Sequence, residues 1–133
     1  LSILIHQDYD TLIDNNKYPS IAVKVIEHEF SEIGNCVEKR NANLRMCSIS
    51  EYSEDKDSEN VFIKIGGTPF LIQDEETYYK ELEEHGFFFF LSIDEDGYSE
   101  DVIIGSYPFG YGALYLYKHH MTNEIIAGFW QYS

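Results

Sequence analysis

Basic side chains are the scarcest charged class in this chain. Its 133 residues include 9 Lys and Arg against 24 Asp and Glu, which gives a formal net charge of −15. The deficit is greatest in residues 66–133, where two lysines face 12 carboxylates. A surface with this charge repels nucleic-acid phosphates and anionic lipids and attracts basic proteins. We therefore expect no direct binding of nucleic acid or membranes, and a basic protein as the partner.

Long apolar runs and a recognisable export signal are also missing. No apolar stretch approaches the ~20 residues of a membrane span. The opening LSILIHQDYD has no basic region and turns polar at Gln7 and Asp8, unlike a signal peptide. We expect a cytoplasmic protein, in which Cys36 and Cys47 stay buried or free rather than forming a disulfide.

The motifs of the common catalytic and metal sites are absent. There is no Cys-x-x-Cys, and His119 and His120, as neighbours on a predicted strand, should point to opposite faces and cannot chelate together. Residues 105–108 depart from the Gly-x-Ser-x-Gly elbow. Gly66-Gly67 lacks a following Lys or helix, which predicts a turn rather than a phosphate loop. We expect no catalytic residue, no metal and no cofactor.

The residues that are present predict a single α+β domain, built mostly of antiparallel sheet. Hydrophobic residues make up 44% and aromatic residues 16% of the chain, enough for a packed core. Alternating or continuous apolar patterns predict strands at 20–30, 43–50, 60–67 and 87–93, and a closing hairpin of 112–120 with 124–133 that turns near 121–123. Residues 20–30 are apolar on both faces, which favours a central strand covered on both sides.

One segment has a clear helical pattern. In DEETYYKELEEHG the helix should span about 74–85, with Asp74 as N-cap and Tyr78 and Leu82 as its apolar stripe. Gly86 stands where a helix-terminating glycine belongs. A short helix or turn is expected at 8–16, and residues 51–60 should form a solvated loop.

The eight aromatic residues of positions 107–133 admit two interpretations. Exposed, they would form a stacking platform for sugars or single strands; on one face of a sheet they would be core. We expect core for most of them, with some Tyr hydroxyls at the surface. They are Tyr107, Phe109, Tyr111, Tyr115, Tyr117, Phe129, Trp130 and Tyr132.

Five carboxylates follow the apolar run FFFFLSI, in a stretch that we call the acidic segment (residues 94–101). An EF-hand template placed on Ser92 requires a Glu where Ile103 stands, so a calcium loop is disfavoured. A solvated turn built on Asp96-Gly97 is the favoured interpretation. Paired-carboxylate catalysis stays open as an alternative, since two of these acids could lie close together. The five are Asp94, Glu95, Asp96, Glu100 and Asp101.

Several stretches of the second half resemble the YwqG-like family of largely uncharacterised bacterial proteins. They are FIKIGGTPFLIQ (62–73), FFFFLSIDED (87–96), YGALYLY (111–117) and FWQYS (129–133). The loop SYPFGYG, which precedes the strand at Gly112, lacks the Trp-Gly-Asp-like sequence expected there in that family. The first 60 residues match no known pattern. A weaker resemblance is to the SMI1/KNR4-type immunity superfamily. Both resemblances imply an α+β domain without a known reaction, and relatives of both families occur beside secreted bacterial toxins.

Charge and resemblance together predict an acidic immunity protein that neutralises a cognate basic toxin, such as a nuclease, by occluding its active site. The partner-binding residues would lie in the acidic segment and on the helix, with two tyrosines as anchors. One alternative is a small-molecule-binding domain or hydrolase that uses residues 94–101; another is a general protein-interaction domain. The predicted contacts are Asp94, Glu95, Asp96, Tyr98, Glu100, Asp101, Glu81, Glu83, Glu84 and Tyr107.

Overall fold

The computed structural model describes residues 1–6, 8, 14–32, 34, 36, 43, 45–49, 51–54, 61–105 and 107–133. These residues form a single α+β domain with one helix and two antiparallel sheets, which confirms the predicted fold class. The regular elements are β1 (Ser2–Ile5), β2 (Val23–Ile26), β3 (Ile63–Ile65), α1 (Glu76–Glu84), β4 (Phe87–Asp94), β5 (Gly112–His119) and β6 (Ile125–Tyr132). No helix among them is both long and apolar enough to cross a membrane.

The main sheet has the order β3-β4-β5-β6, and both of its faces are covered. Alternation along β5 places Tyr115 and Tyr117 on the face that α1 covers, and Leu114 and Leu116 on the face that β1, β2 and the loop at Phe109 cover. The β5–β6 hairpin is the predicted one, and Asn123 adopts the positive φ of 62° in its turn. The domain therefore has three layers: α1, the main sheet in the middle, and the β1–β2 sheet with the loop at Phe109.

A bulge in β4 explains how its continuous apolar run serves both layers. The register with β5 shifts between Phe89 and Leu91, which leaves Phe90 as the extra residue. Phe87 and Phe89 therefore pack with the α1 layer, whereas Leu91 and Ile93 pack with the β1–β2 layer.

Helix α1 is held mainly by one buried side chain. Leu82 is fully buried, and the ring of Tyr78 lies 5.3 Å from that of Phe129. Gly86 has a φ of +82° after the last turn, as the sequence predicts. The predicted N-cap is wrong, because the helix begins at Glu76 and the capping position is Glu75, whose side chain makes no capping hydrogen bond.

Two predicted strands differ from the structure. Residues 20–30 contribute only β2, which pairs with β1 in a separate two-stranded sheet and is not central. Its apolar residues serve to cover the main sheet, in particular through the buried Val23. Residues 45–49 form no strand; Arg45 donates a backbone hydrogen bond to Val102, and Asn43 accepts one from Ile104.

Two further predictions lie wholly or mainly outside the described residues. Of the segment 8–16, only residues 8 and 14–16 are described, and of the loop 51–60 only 51–54 are described, where the chain is exposed and has no regular structure. Cys36 and Cys47 are both described, and both are free, exposed thiols.

Candidate functional site

The acidic segment is less solvated than the sequence predicts. It forms a one-turn 3₁₀ helix at Glu95–Gly97 and another at Glu100–Val102. Asp94 ends β4 half-buried and accepts a hydrogen bond from the backbone of Asp96, and burial raises the pKa of the Asp94 carboxyl. Only part of this segment is therefore a free acidic surface.

Glu95 joins the segment to the loop before β5. Its carboxylate accepts hydrogen bonds from the Tyr107 hydroxyl, at 3.0 Å, and from the backbone N–H of Tyr111. Burial, and then the Glu95 carboxylate, raise the pKa of the Tyr107 hydroxyl. Both hydrogen bonds are internal and fix the loop, and a partner-binding role of Glu95 stays a prediction.

The predicted anchor Tyr98 also has an internal role. Its ring lies 4.7 Å from that of Phe62 and 5.2 Å from that of Tyr107, which leaves it half-buried. Gly97 packs against the same residue: a Cβ there would lie 2.1 Å from the Cα of Phe62. Close packing against Phe62 thus requires the glycine, and the predicted tight turn is present, since the backbone N–H of Tyr98 donates to the Glu95 carbonyl across Asp96-Gly97.

The remaining carboxylates of the acidic segment face solvent. Asp96, Glu100 and Asp101 are exposed, and Asp101 accepts a hydrogen bond from the Ser99 hydroxyl. These three carboxylates form no ion pair with any side chain that the structure describes.

The three predicted glutamates of α1 are all exposed, but they do not share one face. Successive helix residues are rotated by about 100°, so Glu81 and Glu83 lie on opposite flanks of the buried Leu82, and Glu84 points outward. The helix has no basic residue in its last turn. Its one ion pair joins Lys80 to Glu76 at 3.2 Å, in the first half of the helix.

The two acidic regions lie near opposite ends of β4. The last turn of α1 leads through Gly86 into Phe87, whereas the acidic segment starts at Asp94. Seven residue steps along a strand span about 23 Å. The sequence alone could not give this separation, because the order of segments does not fix their distance.

A pocket that the sequence did not predict lies between α1, the start of β4 and the segment after β3. This aromatic pocket, of about 550 Å³, has six aromatic side chains and two carboxylates in its lining. The aromatic residues are Phe70, Tyr79, Phe87, Phe88, Phe89 and Tyr117, and the acids are Asp74 and Glu83. One predicted site residue, Glu83, is therefore part of it.

Two polar side chains of the sheet hold one wall of this pocket in place. The Tyr115 hydroxyl donates to the carbonyl of Phe70 at 2.6 Å. The fully buried Gln131 side chain donates to the Gln73 carbonyl at 2.6 Å and accepts from the backbone N–H of Ile72 at 3.0 Å. Burial raises the pKa of Tyr115 to about 12. The Gly66-Gly67 turn that starts this wall has both φ angles at +69°, as a glycine pair permits.

Tyr117 contributes the most unusual polar group of the pocket. Its side chain is 3% exposed, yet its hydroxyl forms no hydrogen bond with any described residue. Burial, and then the nearby Glu83 carboxylate, raise the pKa of this phenol, so it is neutral at physiological pH. The hydroxyl oxygen is open to the pocket, so a ligand in the pocket can form a hydrogen bond with it.

A second cavity, of about 890 Å³, lies between residues 45–53 and strands β3 and β4. Its lining is mainly apolar and includes Met46, Ile49 and Phe62. None of the five carboxylates of the acidic segment lines either cavity.

The histidine pair behaves differently from the prediction. Strand β5 ends at His119, so the alternation of faces stops there, and the rings of His119 and His120 stack with centroids 5.1 Å apart. Their Nδ1 atoms are both engaged, His119 with backbone N–H groups of the turn and His120 with the carbonyl of Gly86. Among the described residues, no three His, Cys, Asp or Glu side chains are grouped so as to hold a metal ion.

The aromatic series is mainly core, as predicted. Five of its eight members are buried, Phe109, Tyr115, Tyr117, Phe129 and Trp130, whereas Tyr111 is 78% exposed. The exposed tyrosine stands alone and offers no stacking platform.

Comparison with known proteins returned no match: no family model fits the chain, and neither a curated protein nor a solved structure is significantly similar to it. The resemblance to the YwqG-like and SMI1/KNR4-type families stays a prediction.

Proposed function

We propose that this protein binds a basic protein partner through its exposed carboxylates, and that it acts as an immunity protein that neutralises a cognate toxin by covering its active site. The proposed surface contains Asp96, Glu100 and Asp101 of the acidic segment together with the helix carboxylates Glu81, Glu83 and Glu84. Cytoplasmic location belongs to the same proposal, since an immunity protein must meet its toxin inside the cell it protects.

The observation that carries the proposal is the charge at the end of α1. Glu83 and Glu84 lie in the last turn, where the helix dipole is negative and a carboxylate is unfavourable. No basic side chain in that turn offsets them. Residues that oppose the stability of their own element are typical of functional surfaces.

The separation of the two acidic regions suits a protein partner. About 23 Å lies between them along β4. A standard interface covers about 800 Å² on each partner, a patch roughly 30 Å across, so one partner can contact both regions. Uncompensated charge of this kind raises the association rate constant from about 10⁶ to as much as 10⁹ M⁻¹s⁻¹ at low salt.

Coexpression with the protein encoded beside this one tests the proposal. We expect the adjacent reading frame to encode a protein with a basic, toxic C-terminal domain, and we expect this chain to restore growth of cells that produce that domain. The purified pair should form a one-to-one complex. A neighbouring product that is neither toxic nor bound by this chain would refute the immunity role.

Charge reversal maps the surface once the complex is formed. The double variant Asp96→Lys with Glu100→Lys should slow association by more than about ten-fold and reduce its salt dependence. The matched control, Glu27→Lys with Glu29→Lys, makes the same charge change at exposed residues after β2 and should slow association less. Equal effects of the two variants would remove the acidic segment from the interface.

A small-molecule function is the second candidate, and the aromatic pocket is the observation that favours it. This candidate differs from a hydrolase built on residues 94–101. The five carboxylates of that segment line neither cavity, and Asp94, whose pKa burial raises, accepts a hydrogen bond from the backbone of Asp96.

A further inference from the structure

We propose that the aromatic pocket binds an organic ammonium group carried on an apolar body, with Glu83 as its counter-ion and the Tyr117 hydroxyl as a hydrogen-bond acceptor. This site is separate from the proposed toxin-binding surface except at Glu83, and it does not require that the partner be a toxin. The inference rests on the volume of the pocket, its charge, its rings and one unpaired hydroxyl.

The volume and the lining favour a small ligand with an apolar part. About 550 Å³ lies within the usual range of small-molecule sites, which are mostly apolar with a few polar groups. The wall formed by residues 70–73 is fastened to the sheet through Tyr115 and Gln131, so the pocket is formed without a ligand.

The charge of the lining selects a cation. Among the described residues, Asp74 and Glu83 are the charged ones that line the pocket. The Asp74 carboxylate accepts a long hydrogen bond from the Tyr79 hydroxyl, at 3.4 Å, whereas the Glu83 carboxylate forms no ion pair or hydrogen bond within the described part of the chain. An anionic ligand would be repelled by both carboxylates, and a neutral ligand would leave Glu83 without a partner.

The rings reinforce this selection. An ammonium group is attracted to the face of an aromatic ring within about 6 Å of its centroid. The protein already shows this contact at one lining ring, since the Lys64 ammonium lies 4.7 Å from the centroid of Phe70. Phe87, Phe89 and Tyr117 offer further rings to the ligand.

Tyr117 supplies the remaining polar contact. Its neutral hydroxyl is open to the pocket and has no hydrogen-bond partner among the described residues, and Glu83 lines the same pocket. An ammonium N–H placed between them can donate to the phenol oxygen and pair with the carboxylate. The contact satisfies both groups, whereas a hydrocarbon ligand satisfies neither.

Titration calorimetry with three probes of one size tests the charge selection on the unaltered protein. The probes are 2-phenylethylammonium, neutral 2-phenylethanol and anionic 3-phenylpropionate. We expect the ammonium to bind at least about ten-fold more tightly than the alcohol, because a hydrogen bond between charged groups is stronger than one to a neutral hydroxyl. Equal affinity for the alcohol, or tighter binding of the anion, would overturn the proposal.

Variants on α1 locate the counter-ion. Glu83→Gln should weaken ammonium binding about ten-fold, whereas Glu81→Gln, on the opposite flank of the same helix, should leave the affinity within two-fold. Both are exposed, so both variants should fold. Similar losses in the two variants would indicate attraction by the general negative charge and would contradict the proposed site.

Tyr117→Phe separates a ligand-binding role from a structural one. The hydroxyl has no described partner in the protein, so its removal should leave the free energy of unfolding unchanged or higher. Ammonium affinity should fall by about two- to ten-fold. A loss of stability without a loss of affinity would show that the hydroxyl serves the fold instead.

A fourth probe identifies the source of the ammonium. N-acetyl-lysine methylamide presents the side chain of a protein, whereas 2-phenylethylammonium is a free amine. Ammonium-selective binding of either probe supports the site and assigns its source. Absence of binding by both probes at millimolar concentration would refute it.

Discussion

At the scale of single residues, the acidic segment contains two kinds of carboxylate that look alike in the sequence. Glu95 has internal hydrogen bonds to Tyr107 and Tyr111, whereas the adjacent Asp96 is exposed and its carboxylate bonds to no described group. The first holds a loop in place and the second is available to a partner. The difference is one of tertiary structure, since residues 95 and 107–111 meet only in the fold.

Replacement of these two acids should separate their roles. Glu95→Ala leaves the Tyr107 hydroxyl and the Tyr111 N–H without their acceptor, and we expect a loss of about 1–3 kcal/mol in the free energy of unfolding. Asp96→Ala, the matched control, should change it by less than about 0.5 kcal/mol. Urea denaturation measures both, and a neutral Glu95→Ala variant would contradict the structural role.

At the scale of elements, α1 combines a good hydrophobic stripe with poor electrostatics. Leu82 and Tyr78 fix the helix to the sheet, but its carboxylates occur at both ends. Glu75 lies at the positive end of the dipole and Glu83 at the negative end. The same residue type is therefore stabilising at one end and destabilising at the other.

A matched pair of substitutions tests this asymmetry. Glu83→Gln should raise the free energy of unfolding by about 0.3–1 kcal/mol, and Glu75→Gln should lower it by a similar amount, since neither side chain makes a capping bond or an ion pair within the described residues. Thermal or urea unfolding at low salt provides the measurement. If both substitutions change the free energy of unfolding in the same direction, interaction with the helix dipole does not determine how these two carboxylates affect stability.

Patterns within one element were predictable, and contacts between elements were not. The hairpin of β5 and β6, the helix at Leu82 and the turn at Gly66-Gly67 follow from local periodicity and from glycine chemistry. The pocket was not predictable, because its lining comes from four segments (the stretch after β3, α1, β4 and β5) and its wall depends on Tyr115 and Gln131. The prediction that residues 20–30 form a central strand was wrong, because a strand with apolar residues on both faces can also belong to a layer that covers the main sheet.

At the scale of the whole molecule, the net charge of −15 opposes folding through self-repulsion. Only two ion pairs join described residues, and one of them, His6 with Asp8, requires a protonated histidine. Internal pairing in this part of the chain therefore offsets little of the repulsion.

Salt should accordingly stabilise the protein. An increase from 10 to 200 mM NaCl shortens the screening length from about 30 Å to below 10 Å. We expect the midpoint of thermal unfolding at pH 7 to rise by a few degrees, and the effect to disappear near pH 4.5, the isoelectric point of the sequence. A midpoint that falls with salt at pH 7 would indicate that attractive charge pairs dominate.

The bulge in β4 has a consequence for how this chain can vary. Because Phe90 is the extra residue, its deletion would remove the bulge while Phe89 stays paired with Tyr117 and Leu91 with Leu116, so each of them keeps its layer. The same one-residue change in a strand without a bulge would turn every following side chain to the opposite face. The bulge therefore lets this strand differ in length by one residue while Leu91 and Ile93 stay in the same core layer.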